Sequence, residues 1–98
     1  MLEKVKERCY ISSTKFNDEI TSLIKSCLQD LLDVGIASSK VNFESKDIDD
    51  QILNCVVNYV KAYRGNDRTD TEQYLKMYNS LKNKLSQQEN YIEEKTDE

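Results

Sequence analysis

Apolar residues recur at helical spacing in four stretches of the chain. Residues 20–34 place an apolar side chain every three or four positions, which forms a stripe along one face of a helix. Residues 48–63 carry a wider apolar surface, so the third helix is expected to be buried on more than one side. Shorter stretches of the same spacing cover residues 2–9 and 74–85. The pattern predicts an all-α fold, a small bundle of about four helices.

Short polar residues and glycines mark the expected helix ends. The predicted N-caps are Asn17 or Asp18 for the second helix, Asp47 for the third, and Thr69 with Glu72 as a capping box for the fourth. Gly35 and Gly65 follow the second and third stretches, where a left-handed residue commonly ends a helix. Ile36 is expected to fold back onto the last turn before Gly35.

Residues 37–46 form one long connection between the second and third helices. Val41 and Phe43 alternate there with polar residues, in the manner of a short strand or extended arm. Two interpretations stay open for these side chains. Either they pin the loop to the core, or they contact another subunit, because long connections often have a function of their own.

The net charge of −4 comes from the end of the chain. Residues 1–85 carry thirteen acids and thirteen bases, whereas residues 86–98 carry five acids and one base. We therefore expect a helical domain at 1–85 followed by a flexible acidic tail at 86–98. A neutral body lacks the cationic surface of a nucleic-acid-binding protein, and the few lysines of the fourth helix make a weak recognition helix.

The sequence offers little to catalysis or to a cofactor. It contains no histidine, and its two glycines stand apart instead of forming a phosphate-binding loop. Cys9, Cys27 and Cys55 fall on apolar faces, which predicts buried free thiols in a reducing cytoplasm. We expect no enzyme activity, no metal and no cofactor. The lack of a signal peptide or a long apolar run predicts no contact with a membrane.

Tyrosines are concentrated in the second half of the chain, at positions 59, 63, 74, 78 and 91. Most are expected to pack between the third and fourth helices. Tyrosine is also enriched in protein interfaces, so Tyr63, Tyr74 and Tyr78 are candidate contact residues.

The order of these parts resembles a family, the head-tail connector (adaptor) proteins of tailed bacteriophages and prophages, once labelled DNA-packaging proteins. The segments that carry the resemblance are 16–20 (FNDEI), 49–52 (DDQI), 59–63 (YVKAY), 65–67 (GND), 74–78 (YLKMY) and 81–82 (LK). They cover residues 1–85. The resemblance implies a ring of identical subunits beneath the portal, which extends the DNA channel and carries the head-completion or tail proteins. DNA would then be passing cargo.

The same resemblance implies where the protein acts and how its end is used. Assembly would take place in the cytoplasm of the bacterial host, and the finished ring would lie in the virion neck. The acidic tail would reach onto the portal, with Tyr91 and Ile92 as anchors and its carboxylates facing basic portal groups. The alternative is a small helical regulator or antitoxin-like protein that binds another protein through its apolar helices and acidic tail.

Overall fold

Four helices build the protein in a computed structural model that describes residues 1–64 and 68–92. They are α1 (Leu2–Arg8), α2 (Asn17–Asp33), α3 (Asp50–Arg64) and α4 (Arg68–Ser86). Two single 3₁₀ turns, Ser38–Lys40 and Glu89–Tyr91, lie in the segments that follow α2 and α4. The predicted all-α bundle is confirmed.

Helix α3 lies at the centre of the bundle. It packs most extensively against α4, then against α2, and α1 contacts both α2 and α3. Buried side chains occupy more than one side of α3, as its wide apolar pattern predicts: Ile52, Leu53, Cys55, Val56, Val57, Val60 and Ala62. The core therefore consists of α3 and the inner faces of the elements around it.

The end of α2 follows the predicted geometry. Gly35 has a φ of +100°, a left-handed conformation that is unfavourable for residues with a side chain. The Ile36 N–H donates to the Leu31 carbonyl at 3.1 Å, and the Gly35 N–H donates to the Leu32 carbonyl at 3.0 Å. This pair of bonds is a Schellman motif. Ile36 is buried in the same core cluster as Leu31.

The predicted N-caps differ from the observed ones. Helix α2 begins at Asn17 after Phe16, and no side chain caps it. Helix α3 is capped by Asp49 instead of Asp47, because the loop first turns Ile48 into the core. The Asp49 carboxylate accepts hydrogen bonds from the backbone N–H groups of residues 51 and 52, at 2.8 and 3.3 Å. Helix α4 starts at Arg68, and the predictions for Gly65 and the Thr69 side chain lie outside what the structure describes.

The loop between α2 and α3 does not form the predicted strand. Its first residues make the 3₁₀ turn, and the remainder consists of turns and bends. Val41 is buried in the core, and the Phe43 ring packs half-buried against it with the Lys25 ammonium 5.1 Å from the ring centroid. Both side chains therefore pin the loop to the body.

The chain after α4 differs from the predicted flexible tail. The 3₁₀ turn at Glu89–Tyr91 brings Tyr91 into the core with 2% of its surface exposed. Its hydroxyl donates to Asp49 Oδ2 at 2.7 Å and accepts from Gln51 Nε2 at 3.0 Å. Its carbonyl accepts from the Ala37 N–H at 2.7 Å, and Ile92 forms a β-bridge with Ile36. The folded body therefore extends through residue 92, and residues 93–98 lie outside the described part.

Residues 86–92 are mostly polar, and no local pattern in the sequence indicates that they return to the body. One aromatic ring was enough to fold the segment back, since Tyr91 buries its ring and also satisfies its hydroxyl with two partners. Its position against Asp49 ties this segment to the N-terminus of α3. Asp49 thus serves both as the α3 cap and as the acceptor for Tyr91.

We predict that Tyr91 is essential to the stability of the body. Tyr91→Ala removes a buried ring and should lower the free energy of unfolding by about 3 kcal/mol or more. Tyr91→Phe keeps the ring and loses the hydroxyl contacts, which should cost about 1 kcal/mol. Urea unfolding followed by circular dichroism measures both values.

The matched control is Tyr10→Ala, because Tyr10 is 92% exposed. This change should alter the free energy of unfolding by less than about 0.5 kcal/mol. If Tyr91→Ala and Tyr10→Ala unfold at the same urea concentration, Tyr91 is not part of the core.

Candidate protein-interaction surfaces

The described part of the chain lacks the side-chain groupings of a metal centre. No three Asp, Glu or Cys side chains within residues 1–64 and 68–92 come together as metal ligands. Nor does any helix in this part combine the length and apolarity needed to cross a bilayer. Two open grooves between helices are candidate sites for contact with other proteins.

The first groove, of about 460 Å³, lies between α2 and α4 with α3 as its floor. We call it the α2–α4 groove. It is lined by Ser26, Gln29, Asp30, Asp33, Tyr59, Tyr63, Leu75, Tyr78, Asn79 and Lys82. Most of these side chains are polar, so the groove is a seam between two helices whose apolar faces both turn toward α3.

Asp30 holds this seam together. One of its oxygens, Oδ2, accepts a hydrogen bond from the Tyr78 hydroxyl at 2.5 Å and one from Lys82 Nζ at 2.9 Å. Partial burial alone would raise the pKa of Asp30, but these two hydrogen bonds outweigh it and lower the pKa below its usual value. Burial and the neighbouring Cys27 and Asp30 raise the pKa of the Tyr78 hydroxyl. Near neutral pH the site therefore contains an ionised Asp30 carboxylate and a neutral Tyr78 phenol.

Three tyrosines continue the seam outward to the surface. Tyr59 meets Tyr78 edge-on, with ring centroids 5.1 Å apart, and meets Tyr63 at 4.6 Å. Tyr78 is buried and Tyr63 is 56% exposed. The three rings thus extend from the core to the surface of the protein. There the exposed Tyr63 ring could bury more of its area against a partner.

The second groove, of about 330 Å³, lies where the end of α1 meets the end of α3. We call it the basic groove. It is lined by Cys9, Tyr10, Ile11, Val60, Lys61, Arg64 and Tyr74. The Lys61 ammonium lies 5.6 Å from the Tyr74 ring centroid, and the Arg64 guanidinium lies 4.9 Å from the Phe16 ring centroid. Arg64 Nε also approaches Glu19 Oε1 at 3.4 Å.

Tyr10 stands at the rim of the basic groove in an unusual conformation. Its φ is +58°, which is uncommon for a residue with a large side chain. The backbone turns there because the Tyr10 and Ile11 N–H groups both bond back to carbonyls of α1, at 3.2 and 2.9 Å. The turn directs Ile11 inward and leaves the Tyr10 ring almost fully in solvent.

Comparison with known families gives these grooves a context. A family model described as phage connector protein matches residues 1–92. The chain belongs to the phage connector protein family. The match confirms the family resemblance, and it extends past residue 85 to the full length of the folded body. No curated protein and no solved structure matches the chain.

The predicted contact residues of this connector chain differ in how deeply they are buried. Tyr63 is exposed and Tyr74 is half-buried in the wall of the basic groove. Phe43 and Ile92 are half-buried: Phe43 lies beside Lys25 of α2, and Ile92 bridges to Ile36 after the end of α2. Three further candidates lie inside the chain's own core: Val41, Tyr78 and Tyr91.

Sequence reasoning missed the basic groove. Lys61 and Arg64 suit the C-terminal end of any helix, because cations there complement the helix dipole, so their positions alone do not indicate a groove. The sequence signal was present, because two cations one helical turn apart share a face of α3. Only the fold shows that α1 ends beside them.

The three cysteines remain free, as predicted. Cys27 and Cys55 are buried, and burial raises the pKa of both thiols, that of Cys55 to about 12. Cys9 is half-buried, in contrast to the predicted full burial. Burial raises its pKa as well, although Lys61 and Arg64 oppose that shift. Neutral thiols of this kind are poor nucleophiles.

The Asp30 contacts predict a specific dependence of stability on pH. Because the folded state lowers the pKa of Asp30, the stabilisation is present above the carboxyl's ordinary pKa near 3.9 and is lost as pH falls through the lower folded value. Asp30→Asn should cost about 1 kcal/mol at pH 7, a small value because the carboxylate is partly in solvent. The difference from the natural protein should shrink between about pH 5 and pH 3.

Urea unfolding of both proteins across this pH range measures the effect. Asp33→Asn is the matched control, since Asp33 lies one turn away on the same groove and bonds only to the exposed Gln29. A loss of stability in Asp30→Asn that stays constant down to pH 3 would contradict the assignment.

Proposed function

We propose that the protein is a structural subunit of a phage head-tail connector. In this proposal, copies of the chain assemble as a ring beneath the portal, extend the DNA channel, and carry the head-completion or tail proteins. The observation that carries the proposal is the family match over residues 1–92, since those residues include the four helices that the structure describes and the returning C-terminal segment.

The accessible aromatic side chains support contacts with other subunits. Tyr63 projects from the α2–α4 groove, and Tyr74 lies in the basic groove on the next face of α4. We assign these two tyrosines to contacts with neighbouring copies or with the portal. The half-buried Phe43 and Ile92 are two further candidate contacts, Phe43 beside α2 and Ile92 beside Ile36.

The buried candidates contribute in another way. Val41, Tyr78 and Tyr91 hold the loop, α4 and the C-terminal segment in place, and so shape the surfaces from within. Since Tyr91 is engaged with Asp49 and Gln51, it is not free to anchor a tail on the portal as the sequence suggested. The portal contact proposed here therefore uses the outer surface of the folded body.

The charges of the body support DNA as passing cargo. Lys82 and Arg64 each have a carboxylate partner, and the lysines at positions 25, 40 and 61 lie over aromatic rings. Residues 1–85 also balance thirteen acids with thirteen bases, so a channel lined by such a body would attract phosphates weakly, which suits the passage of DNA. Under this proposal, the subunit is made in the host bacterial cytoplasm and ends in the virion neck, and it has no catalytic role.

The proposal is tested by recovering the protein from cells that assemble the phage or an induced prophage. An N-terminal affinity tag is added, and the proteins that co-purify are identified by mass spectrometry. We expect portal and head-completion or tail proteins. Recovery of a regulator or a toxin in their place would overturn the proposal in favour of the antitoxin-like alternative.

We predict that Tyr63 contributes to binding in this assay. Tyr63→Ser removes a ring that is 56% exposed and touches only the outer end of the tyrosine stack, so the fold should persist while portal recovery falls by about tenfold or more, the size for loss of an aromatic hot spot. The control is Gln73→Ser, an exposed change on α4. Equal recovery of portal with both variants would remove Tyr63 from the interface.

A further inference from the structure

The α2–α4 groove combines aromatic side chains with carboxylates. Tyr59 and Tyr63 of α3 line it, and the Tyr63 ring is 56% exposed, so part of the aromatic surface faces solvent. Asp30 and Asp33 line the same groove where α2 ends. This combination is suited to arginine, because a guanidinium stacks on aromatic rings and donates two parallel hydrogen bonds to a carboxylate.

The two carboxylates lie where a helix disfavours them. Asp30 and Asp33 occupy the last turn of α2, and that turn contains no base of its own. The C-terminal end of a helix carries a partial negative charge, which cations complement and carboxylates oppose. A local choice that opposes the rest of the structure is typical of functional sites. A cation bound at the end of α2 would relieve this conflict.

One cation already reaches this end of the groove. Lys82 Nζ and the Tyr78 hydroxyl both donate to Oδ2 of Asp30. Among the residues that the structure describes, no donor reaches Asp30 Oδ1, and Asp33 accepts only from the Gln29 side chain, at 3.0 Å. Each carboxylate oxygen can accept more than one hydrogen bond. The described acceptors at the end of α2 thus exceed the described donors.

The two segments whose side chains the structure leaves undescribed do not offset this charge. Residues 65–69 and 93–98 together carry five acids and two bases, a net charge of −3. The lining residues of the groove carry two acids and one base, a net charge of −1. Charge complementarity therefore favours a partner with positive charge.

This chain is a poor source of the arginine. Its fourteen bases include only three arginines, Arg8, Arg64 and Arg68. Arg64 is engaged by Glu19, at 3.4 Å, and lies over the Phe16 ring. Lysine is the weaker ligand for such a groove, because its ammonium is not planar and does not bind a carboxylate through two parallel hydrogen bonds. A different protein is therefore a better donor than a second copy.

We propose that the α2–α4 groove binds an arginine-bearing segment of a partner protein other than a copy of this chain. The guanidinium would pair with Asp33 and with Oδ1 of Asp30, and the rest of the segment would cover the exposed Tyr63 ring. The inference deepens the proposed function and rests on it, because a connector subunit must hold a different protein against its surface.

Photo-cross-linking identifies what occupies the groove. Asn79 lines the groove and is exposed, so p-benzoylphenylalanine is introduced in its place. The tagged protein is recovered with its partners from cells that assemble the phage or an induced prophage, and it is then irradiated. The excited ketone inserts into a neighbouring C–H bond and becomes an alcohol. Mass spectrometry should identify a cross-linked peptide that contains arginine and belongs to a different protein.

Charge reversal tests the role of Asp33. Asp33→Lys should lower recovery of the cross-linked protein by about tenfold or more, because it replaces an attraction with a repulsion. Asp33→Glu keeps the carboxylate and should retain most of the binding. The matched control is Glu44→Lys, the same change of charge at an exposed position of the loop. Replacing the identified arginine with glutamate should restore binding to Asp33→Lys.

The stability of the isolated chain separates a contact role from a folding role. A lysine in the last turn of α2 complements the helix dipole, so the urea midpoint of Asp33→Lys should equal or exceed that of the natural protein. A lower midpoint would show that Asp33 stabilises the chain itself and would overturn the inference.

Three further outcomes also overturn the inference. A cross-linked peptide from this chain would assign the groove to a second copy or to the chain's own segment. A peptide without arginine would remove the proposed chemistry, and equal recovery with Asp33→Lys and Glu44→Lys would remove Asp33 from the contact. If portal and head-completion or tail proteins are recovered while these results are negative, only this inference fails. If none of them is recovered with the natural sequence, the proposed connector role fails.

Discussion

The burial of α3 is the constraint on which the structure depends. A chain of this length can remove only a limited apolar area from water, and here most of that area surrounds one helix. Helices α1, α2 and α4 and the returning C-terminal segment all turn their apolar side chains toward it. Because both converge on α3, helices α2 and α4 meet along a mostly polar seam, and this seam opens into the α2–α4 groove.

Two carboxylates determine how the outer elements are placed on this centre. Asp30 joins α2 to α4 through the Tyr78 hydroxyl and Lys82. Asp49 caps α3 and receives the Tyr91 hydroxyl. Each carboxylate lies near the surface and accepts a hydrogen bond from a tyrosine whose ring is buried in the core. The tyrosine therefore buries apolar area, and its hydroxyl fixes the position of its segment. Such contacts specify position more than they add stability, which suits a protein whose surfaces must match those of its neighbours.

The sequence predicted the elements well and their edges less well. Helical periodicity identified all four helices and the centrality of α3, and Gly35 identified the end of α2, because spacing and backbone freedom are local properties. Asp49, not Asp47, is the N-cap of α3, because Ile48 is buried in the core and this tertiary contact sets where the helix begins. The return of Tyr91 depended on Asp49 and Gln51, some forty residues earlier in the chain, and no local pattern contains that information.

The candidate surfaces, like the helix ends, could be predicted from the sequence only in part. Composition predicted that tyrosines in the second half would serve both core and interface, and the stack from Tyr78 through Tyr59 to Tyr63 does contain buried and exposed members. Which tyrosine took which place could not be predicted, since adjacent positions on one helix face differ in depth only after α2 packs. The basic groove arises from the meeting of α1 and α3, two elements separated by about forty residues, and is a property of tertiary structure alone.

The central claim is that this small helical body is a connector subunit, and cryo-electron microscopy of the assembled phage neck tests it most directly. Particles from cells that produce the tagged protein would be imaged and the neck reconstructed. The account predicts a closed ring of helical subunits beneath the portal into which residues 1–64 and 68–92 fit as a body, one copy per subunit. A neck in which no layer accommodates this body, in particles shown by mass spectrometry to lack the protein, would contradict the account.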